Sequence, residues 1–150
     1  MSTKIEFKFN KEKFLFFCHF LKKEGFLPDK FLDVFYLADK LHTIDYGRPI
    51  MSSYYEIRGE KFYIPDAKFT IHELLNYNMP ENKWNDFKNE YVSNSDIEYV
   101  KEAIMHLMIQ ETKDEIIRIK DTYNGKFVPI EEWTNDDNMI EELKFRAEMS

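Results

Sequence analysis

The sequence predicts a mainly α-helical protein: a compact single-domain bundle of about five to six helices with one small β-hairpin. Apolar residues recur three and four positions apart along most of the 150 residues, which is the spacing of one helix face. Asn, Ser, Thr and Pro stand where these segments begin, and glycines stand where the first two end. Only residues 54–64 have the aromatic and β-branched content of paired strands.

The first helix is predicted to begin after Asn10. The preceding segment IEFKF (residues 5–9) alternates apolar and polar residues, which predicts a short strand. Asn10 can cap the helix, and Phe9 and Phe14 are spaced as a hydrophobic staple across its start. Gly25 is placed to end this helix.

A second helix and the hairpin are predicted next. Pro28 suits a first helical turn, and the apolar spacing continues to Tyr46. Gly47 is then expected in the left-handed conformation that ends a helix. Gly59 followed by Glu60 predicts a type II′ turn in the hairpin.

Three later helices are predicted from the Ser/Thr-x-x-Glu pattern of a capping box. The pairs are Thr70 with Glu73, Ser95 with Glu98, and Thr112 with Glu115. The segment NYNMPENKW (residues 76–84) is predicted as a loop. A last helix, at about 138–147, has Ile140, Leu143 and Ala147 on one face. The whole chain, 1–150, is expected to be one domain.

Composition excludes several classes of function. The net charge is −7, from 28 acidic and 21 basic residues. The basic residues are scattered, so direct binding to nucleic acid is not expected. Cys18 is the only cysteine and lies among bulky apolar residues, as a core cysteine does. We find neither a signal peptide nor an apolar run long enough for a membrane, and expect a cytoplasmic protein.

Asp39, His42 and Arg48 are the strongest chemical candidates. They are either a catalytic cluster or a polar knot that fixes the end of the second helix. An Asp/His pair supplies two metal ligands, whereas zinc sites use three or four. We therefore predict no catalytic, cofactor-binding or metal residues. We expect a structural knot in which Arg48 donates to a carboxylate, with Asp39 as the nearest candidate.

Aromatic residues of the hairpin are more numerous than one face can bury. Side chains alternate along a strand, so the four candidates Tyr54, Tyr55, Phe62 and Tyr63 cannot all point inward. Tyr is common in binding hot spots, which makes these four the candidate partner-binding residues. The alternative is that the chain's own termini cover the second face.

The segment YLADKLHTIDYGRPI (residues 36–50) resembles the signature of the Panacea domain, the SocA-like antitoxin domain of bacteria and their phages. The resemblance covers about residues 14–133, and its most specific part is Tyr46, Gly47, Arg48, Pro49 and Ile50. Weaker matches are Ser93, Ser95 and Asp96 at a helix start, and Trp133. After Ile50 the family usually has Gly-Asp and then Gly-Pro-Val-Pro, of which only Pro65 remains here.

The resemblance implies an antitoxin that neutralises a neighbouring toxin by direct contact, without catalytic activity or cofactor. The expected partner is the cognate protein toxin, and the structural motif is Asp39, His42, Tyr46, Gly47, Arg48 and Pro49. Three alternatives remain open. The chain is a proteolytic adaptor that delivers a toxin to a Clp-type protease, a phage protein that binds a host defence component, or a small metal-dependent enzyme built on Asp39 and His42.

Overall fold

The computed structural model describes residues 2–67 and 79–150, and these residues form a mainly helical fold with one antiparallel hairpin. The helices are α1 (Lys11–Lys23), α2 (Pro28–Tyr46), α3 (Glu81–Tyr91), α4 (Asn94–His106), α5 (Gln110–Thr122) and α6 (Asp137–Met149). The strands are β1 (Glu56–Arg58) and β2 (Lys61–Tyr63), and single 3₁₀ turns lie at Pro65–Ala67 and Ile130–Glu132. The predicted fold class is confirmed.

Helix α1 begins and ends where local signals place it. The Asn10 side chain accepts a hydrogen bond from the Lys13 amide at 2.9 Å, and the rings of Phe9 and Phe14 lie 5.4 Å apart. At the other end, the Phe26 amide donates to the Leu21 carbonyl at 3.0 Å, which is the long bond of a Schellman motif. Gly25 lies between them with φ 92°.

The strand predicted at residues 5–9 is wrong. This segment has no regular secondary structure, because other parts of the chain take up its backbone groups. The Ile5 carbonyl accepts the Ser53 hydroxyl at 2.6 Å, and the Lys8 amide donates to the Ser150 hydroxyl at 3.0 Å. The segment therefore lies across the surface without pairing as a strand, and its Ile5 side chain is buried.

Helix α2 connects most of the core. It contacts α1, α4 and β2, and its side chains Phe31, Val34 and Phe35 are completely buried. On α4 the facing residues Val100 and Ala103 are also fully buried. Burying an aromatic or branched aliphatic side chain contributes about 1.5–3 kcal/mol, so this contact fixes the α2–α4 geometry on which the site depends.

The hairpin has a type I′ turn, so the type II′ prediction is wrong. Residues Arg58 and Lys61 pair across a two-residue loop, in which both Gly59 (φ 56°) and Glu60 (φ 61°) have positive φ. Type I′ requires positive φ at both central positions, and its twist matches that of the strands. The free edge of β1 is also occupied, because the Ile57 amide donates to the Lys126 carbonyl at 2.9 Å.

Two helix starts differ from the capping-box predictions. Helix α4 is capped by Ser93, with Asp96 closing the box, two residues before the predicted Ser95–Glu98 pair. Helix α5 begins at Gln110 without a side-chain cap, so Thr112 lies inside it. The α4–α5 turn causes this, because the Lys113 amide already donates to the Ile109 carbonyl at 3.1 Å. The predicted Thr70–Glu73 box lies outside the described residues.

Helix α3 occupies part of the predicted loop at residues 76–84, so that prediction is wrong for residues 81–84. Trp84 is its one buried residue, and the Trp84 ring stacks on His19 of α1 at 4.3 Å.

The predicted last helix is confirmed as α6, with Ile140 and Leu143 buried and Asp136 as its cap. In the described part of the chain, no helix has both the length and the apolar character needed to cross a bilayer.

Candidate functional site

Asp39 lies at the centre of a buried acceptor site. Its Oδ1 atom accepts the amides of Ile50 and Met51, both at 2.7 Å. Its Oδ2 atom accepts the Ser52 amide at 3.0 Å and the Tyr55 hydroxyl at 2.5 Å. We call these groups the Asp39 centre. One α2 side chain therefore holds the backbone turn at residues 50–52 and the start of the hairpin.

Burial strongly affects the acidity of the Asp39 centre. Asp39 is 0% exposed, and burial raises its pKa from 3.8 to about 7, although the Tyr55 hydroxyl and the three amides oppose the rise. Burial, with the neighbouring carboxyl group of Asp39, also holds the pKa of the Tyr55 hydroxyl well above 10. The centre is thus able to carry a proton near neutral pH without contact with solvent.

His42, one turn further along α2, is also fully buried. Its Nδ1 atom lies 2.7 Å from the Arg48 carbonyl oxygen, which can only accept, so Nδ1 carries the proton. Its Nε2 atom lies 3.0 Å from the Ser95 hydroxyl. Burial lowers the pKa of His42 below 6.5, which favours the neutral imidazole. Its Nε2 atom then accepts a hydrogen bond from the Ser95 hydroxyl.

Arg48 pairs with Asp96 of α4, and the predicted pairing with Asp39 is wrong. Arg48 Nη2 lies 3.1 Å from Asp96 Oδ1, and Lys13 Nζ of α1 lies 3.1 Å from Asp96 Oδ2. The Ser93 amide also donates to Asp96. We call Asp96, Arg48, Lys13, Ser93 and Ser95 the Asp96 centre. Burial opposes the ionisation of Asp96, but Lys13, the Ser93 amide and Arg48 together hold its pKa below 3.8.

Asp39 cannot be the partner of Arg48, because the amides of the turn and Tyr55 already occupy its oxygens. The Arg48 guanidinium instead donates to the Pro49 carbonyl at 3.1 Å, to the Ser93 hydroxyl at 3.3 Å and to Asp96. The side chain is 40% exposed. Arg48 thus joins the turn after α2 to the start of α4 from the surface side.

The structure of the turn after α2 shows what Tyr46 and Gly47 contribute to it. Gly47 has φ 72° and ends α2, as predicted. A Cβ atom there would collide with the Arg146 guanidinium of α6, which donates to the Tyr46 carbonyl at 2.9 Å. Tyr46 contributes its ring, which stacks on His42 at 4.7 Å. The predicted motif residues thus lie together, but in two centres and not in one knot.

The structure places Tyr55 and Phe62 in the core, so the prediction that they bind a partner is wrong. They are 1% and 4% exposed, because they share the inward face of the hairpin with Ile57. Tyr54 and Tyr63 lie on the other face and are partly buried. Arg58 covers the ring of Tyr63 at 3.9 Å.

Tyr54 has neighbours from the N-terminal segment and from the segment that follows α5. Lys4 lies over its ring at 4.7 Å, Phe127 stacks on it at 5.9 Å, and its hydroxyl donates to Glu56 at 2.7 Å. The alternative is that the chain's own termini cover the second face, and here one of the two covering residues, Lys4, lies near a terminus, whereas Phe127 does not. The outer face of the hairpin therefore offers little free aromatic surface.

Large exposed apolar side chains lie elsewhere: at the α1–α2 turn, from the last turn of α4 into the α4–α5 turn, and on α5. They are Leu27 (69% exposed), Met105 (67%), Met108 (75%), Ile109 (49%) and Ile117 (57%). Two smaller groups are Ile44 and Tyr46 near the end of α2, and Phe145 and Met149 on α6. Periodicity assigns such residues to the core by default, so this surface could not be predicted from the sequence pattern.

The contact between Ser95 and His42 has the geometry of a nucleophile and its base. The distance is 3.0 Å, and a carbonyl oxygen orients the opposite ring nitrogen, as a third group does in catalytic triads. However, Ser95 also lies 3.0 Å from the Ser93 hydroxyl that caps α4.

Within residues 2–67 and 79–150, no group of three or more His, Cys, Asp or Glu side chains is arranged to hold a metal ion.

Sequence reasoning did not identify Lys13, or the role of Asp96 as the partner of Arg48. Asp96 lies 48 positions from Arg48, and Lys13 is on a third helix. The signal for Asp96 was present in the segment Ser93-x-x-Asp96. That segment is a capping box with Asp in place of Glu, and the Glu98 pattern two residues later obscured it.

Comparisons of the chain with protein-family models, with curated proteins and with solved structures returned no match.

Proposed function

We propose that this protein is a cytoplasmic antitoxin that neutralises a partner protein toxin by direct binding and is not an enzyme. The observation that carries the proposal is the set of large apolar side chains exposed at the two helix–helix turns, Met108 at 75% and Leu27 at 69% among them. Exposed apolar surface of this kind is typical of protein-interaction sites. The resemblance of residues 36–50 to the Panacea signature supplies the class of partner.

The buried site supports a scaffold role for the motif. Both oxygens of Asp39 and both ring nitrogens of His42 have partners within the chain. Such saturation favours a fixed backbone turn over a group that meets a substrate. In this proposal the motif holds α2, α4 and the hairpin in place, and other residues bind the toxin.

Co-expression with the product of the neighbouring gene tests the proposal. Growth arrest by that product should be relieved by this protein, and the two purified proteins should form a stable complex in gel filtration. Failure of both rescue and complex formation would reject the antitoxin function. Rescue that disappears in cells without Clp proteases would favour the adaptor alternative, because binding alone would then be insufficient.

The Ser95–His42 contact favours one second candidate, a serine hydrolase. In that mechanism the Ser95 hydroxyl would add to a carbonyl carbon while its proton moves to His42 Nε2. A fluorophosphonate probe decides the question: labelling of the native protein that is absent in Ser95→Ala would establish a reactive serine. The antitoxin proposal expects no labelling. The remaining metal-enzyme alternative is tested by metal analysis of the purified protein together with the activity of His42→Ala.

A further inference from the structure

We infer that the groove between the start of α2 and α5 binds an amphipathic α-helix with acidic flanks, supplied by the partner protein. The inference rests on the proposed function and identifies the binding surface. The groove has a volume of about 400 Å³. Its apolar lining consists of Phe26, Leu107, Ile116 and Ile117.

The shape of the groove fits a helix. One wall is the first part of α2, and the other is a stripe on α5 in which Lys113, Ile117 and Lys120 follow at helical spacing. The two helices are held side by side, since Lys120 pairs with Asp33 at 2.8 Å. A groove between two helices accepts an amphipathic helix whose apolar residues lie at i, i+3, i+4 and i+7.

The apolar surface extends beyond the groove. Met108 and Ile109 follow Leu107 in the α4–α5 turn, Leu27 follows Phe26, and all three are at least 49% exposed. Methionines are flexible and adapt to different apolar surfaces, as in other proteins that hold helices in grooves. The residues next to the groove therefore enlarge the area that a docked helix would bury.

The charge of the groove indicates an acidic partner. The chain as a whole carries −7, but the charged residues that line the groove are three lysines and one aspartate. Lys120 neutralises the aspartate, Asp33. Lys30 and Lys113 form no ion pair with another described residue, and both are exposed. Acidic flanks on the bound helix would complement these two lysines.

A peptide titration tests the groove without any toxin. The probe is a helical peptide of about 14 residues with leucines at i, i+3, i+4 and i+7 and glutamates on both flanks. Its control is the same peptide with lysines in place of the glutamates. We expect the acidic peptide to shift the methyl signals of Leu107, Ile116 and Ile117 and to bind about ten-fold more tightly than the basic one. Equal binding, shifts confined to other residues, or no binding would overturn the inference.

Variants provide the second part of the test. Ile117→Asp should weaken acidic-peptide binding at least about ten-fold, and Lys30→Glu combined with Lys113→Glu should reverse the charge preference. Phe145→Asp on α6 is the matched control, because Phe145 is similarly exposed (64% against 57% for Ile117). All these side chains are exposed, so the variants should fold, which circular dichroism checks.

Two further results separate this inference from its competitors. If native protein neutralises the toxin but Ile117→Asp does so equally well, the proposed function stands and the groove assignment fails. If native protein neutralises nothing while the peptide results hold, the proposed function fails and the groove remains. Self-association in sedimentation velocity that both Ile117→Asp and Phe145→Asp abolish would assign the groove to α6 of a second copy, and would overturn the inference.

Discussion

Replacing Asp39 by Asn should destabilise the protein at pH 5 and cost little at pH 8. At pH 5 the folded protein holds Asp39 protonated, since its pKa is raised to about 7. The Asn oxygen can keep the amides of Ile50 and Met51, and the Asn NH₂ group can donate to the Tyr55 oxygen. The Ser52 amide, at 3.0 Å from Oδ2, then faces an NH₂ group. One buried donor without an acceptor costs about 1–3 kcal/mol.

The pH dependence follows from linkage. Between 3.8 and about 7 the folded chain keeps the Asp39 proton that the unfolded chain releases. The stability that this proton provides is therefore complete below 3.8 and is lost as pH rises through about 7. Each pH unit in that interval removes about 1.4 kcal/mol, so the native protein loses on the order of 2–3 kcal/mol between pH 5 and 8. The Asp39→Asn variant does not lose this stability. The difference in the free energy of unfolding between the native protein and the variant should therefore shrink towards zero from pH 5 to pH 8.

Urea unfolding followed by circular dichroism at both pH values measures this effect. The variant Asp39→Ala should cost about 4 kcal/mol or more at pH 5, because the turn amides and Tyr55 all lose their partner. Asp121→Asn is the control, since Asp121 is exposed on α5 and such changes stay within about 0.5 kcal/mol. A cost of Asp39→Asn that grows from pH 5 to pH 8 would refute the reasoning. It would mean that the hydrogen bonds, and not burial, set the pKa of Asp39.

Three other predictions follow from the same contacts. The lysine of Arg48→Lys cannot reach Pro49, Ser93 and Asp96 together. The variant should therefore lower the Tm by about 2–4 °C and weaken binding of the proposed toxin as well. Lost binding at unchanged Tm would instead place Arg48 in the interface. Burial holds the pKa of His42 below 6.5, so the stability that it provides is present above 6.5 and is lost as pH falls. The protonation of Asp39 contributes equally to both proteins, so the change in urea midpoint from pH 7 to pH 5.5 should be less favourable in native protein than in His42→Gln, and equal changes would contradict this. Glu60 has φ 61°, where Asn is better tolerated, so Glu60→Asn should raise the free energy of unfolding by about 0.5 kcal/mol, and a lower urea midpoint would exclude strain at that position.

The ends of the first two helices could be predicted because their signals are local. Asn10 and Gly25 act on backbone groups within a few residues, and Gly47 needs only its own left-handed conformation. The partner of Arg48 could not be predicted in this way. It is decided by how α2 packs on α4, and two helices of any amphipathic sequence permit several such arrangements.

The buried face of the hairpin likewise could not be predicted from local sequence signals. Alternation correctly predicts that only one face of the ribbon points inward, but it does not say which face. Tyr55 and Phe62 lie inside, where the Tyr55 hydroxyl donates to Asp39, a contact between residues 16 positions apart in sequence. The groove is harder still, since its apolar lining combines Phe26, Leu107 and Ile116, which lie on three separate segments of the chain.

Helix α2 separates the buried Asp39 centre from the proposed binding groove. Lys30 and Asp33 line the groove, and Asp39 lies nine and six residues further on, about 14 Å and 9 Å along the axis at 1.5 Å per residue. Effects at sites more than about 7–10 Å apart normally add without coupling. Asp39→Asn should thus reduce partner binding only by lowering the folded fraction, and cooling or a stabilising variant should restore it. Ile117→Asp removes contact surface from a folded protein, so the same treatment should not restore its binding.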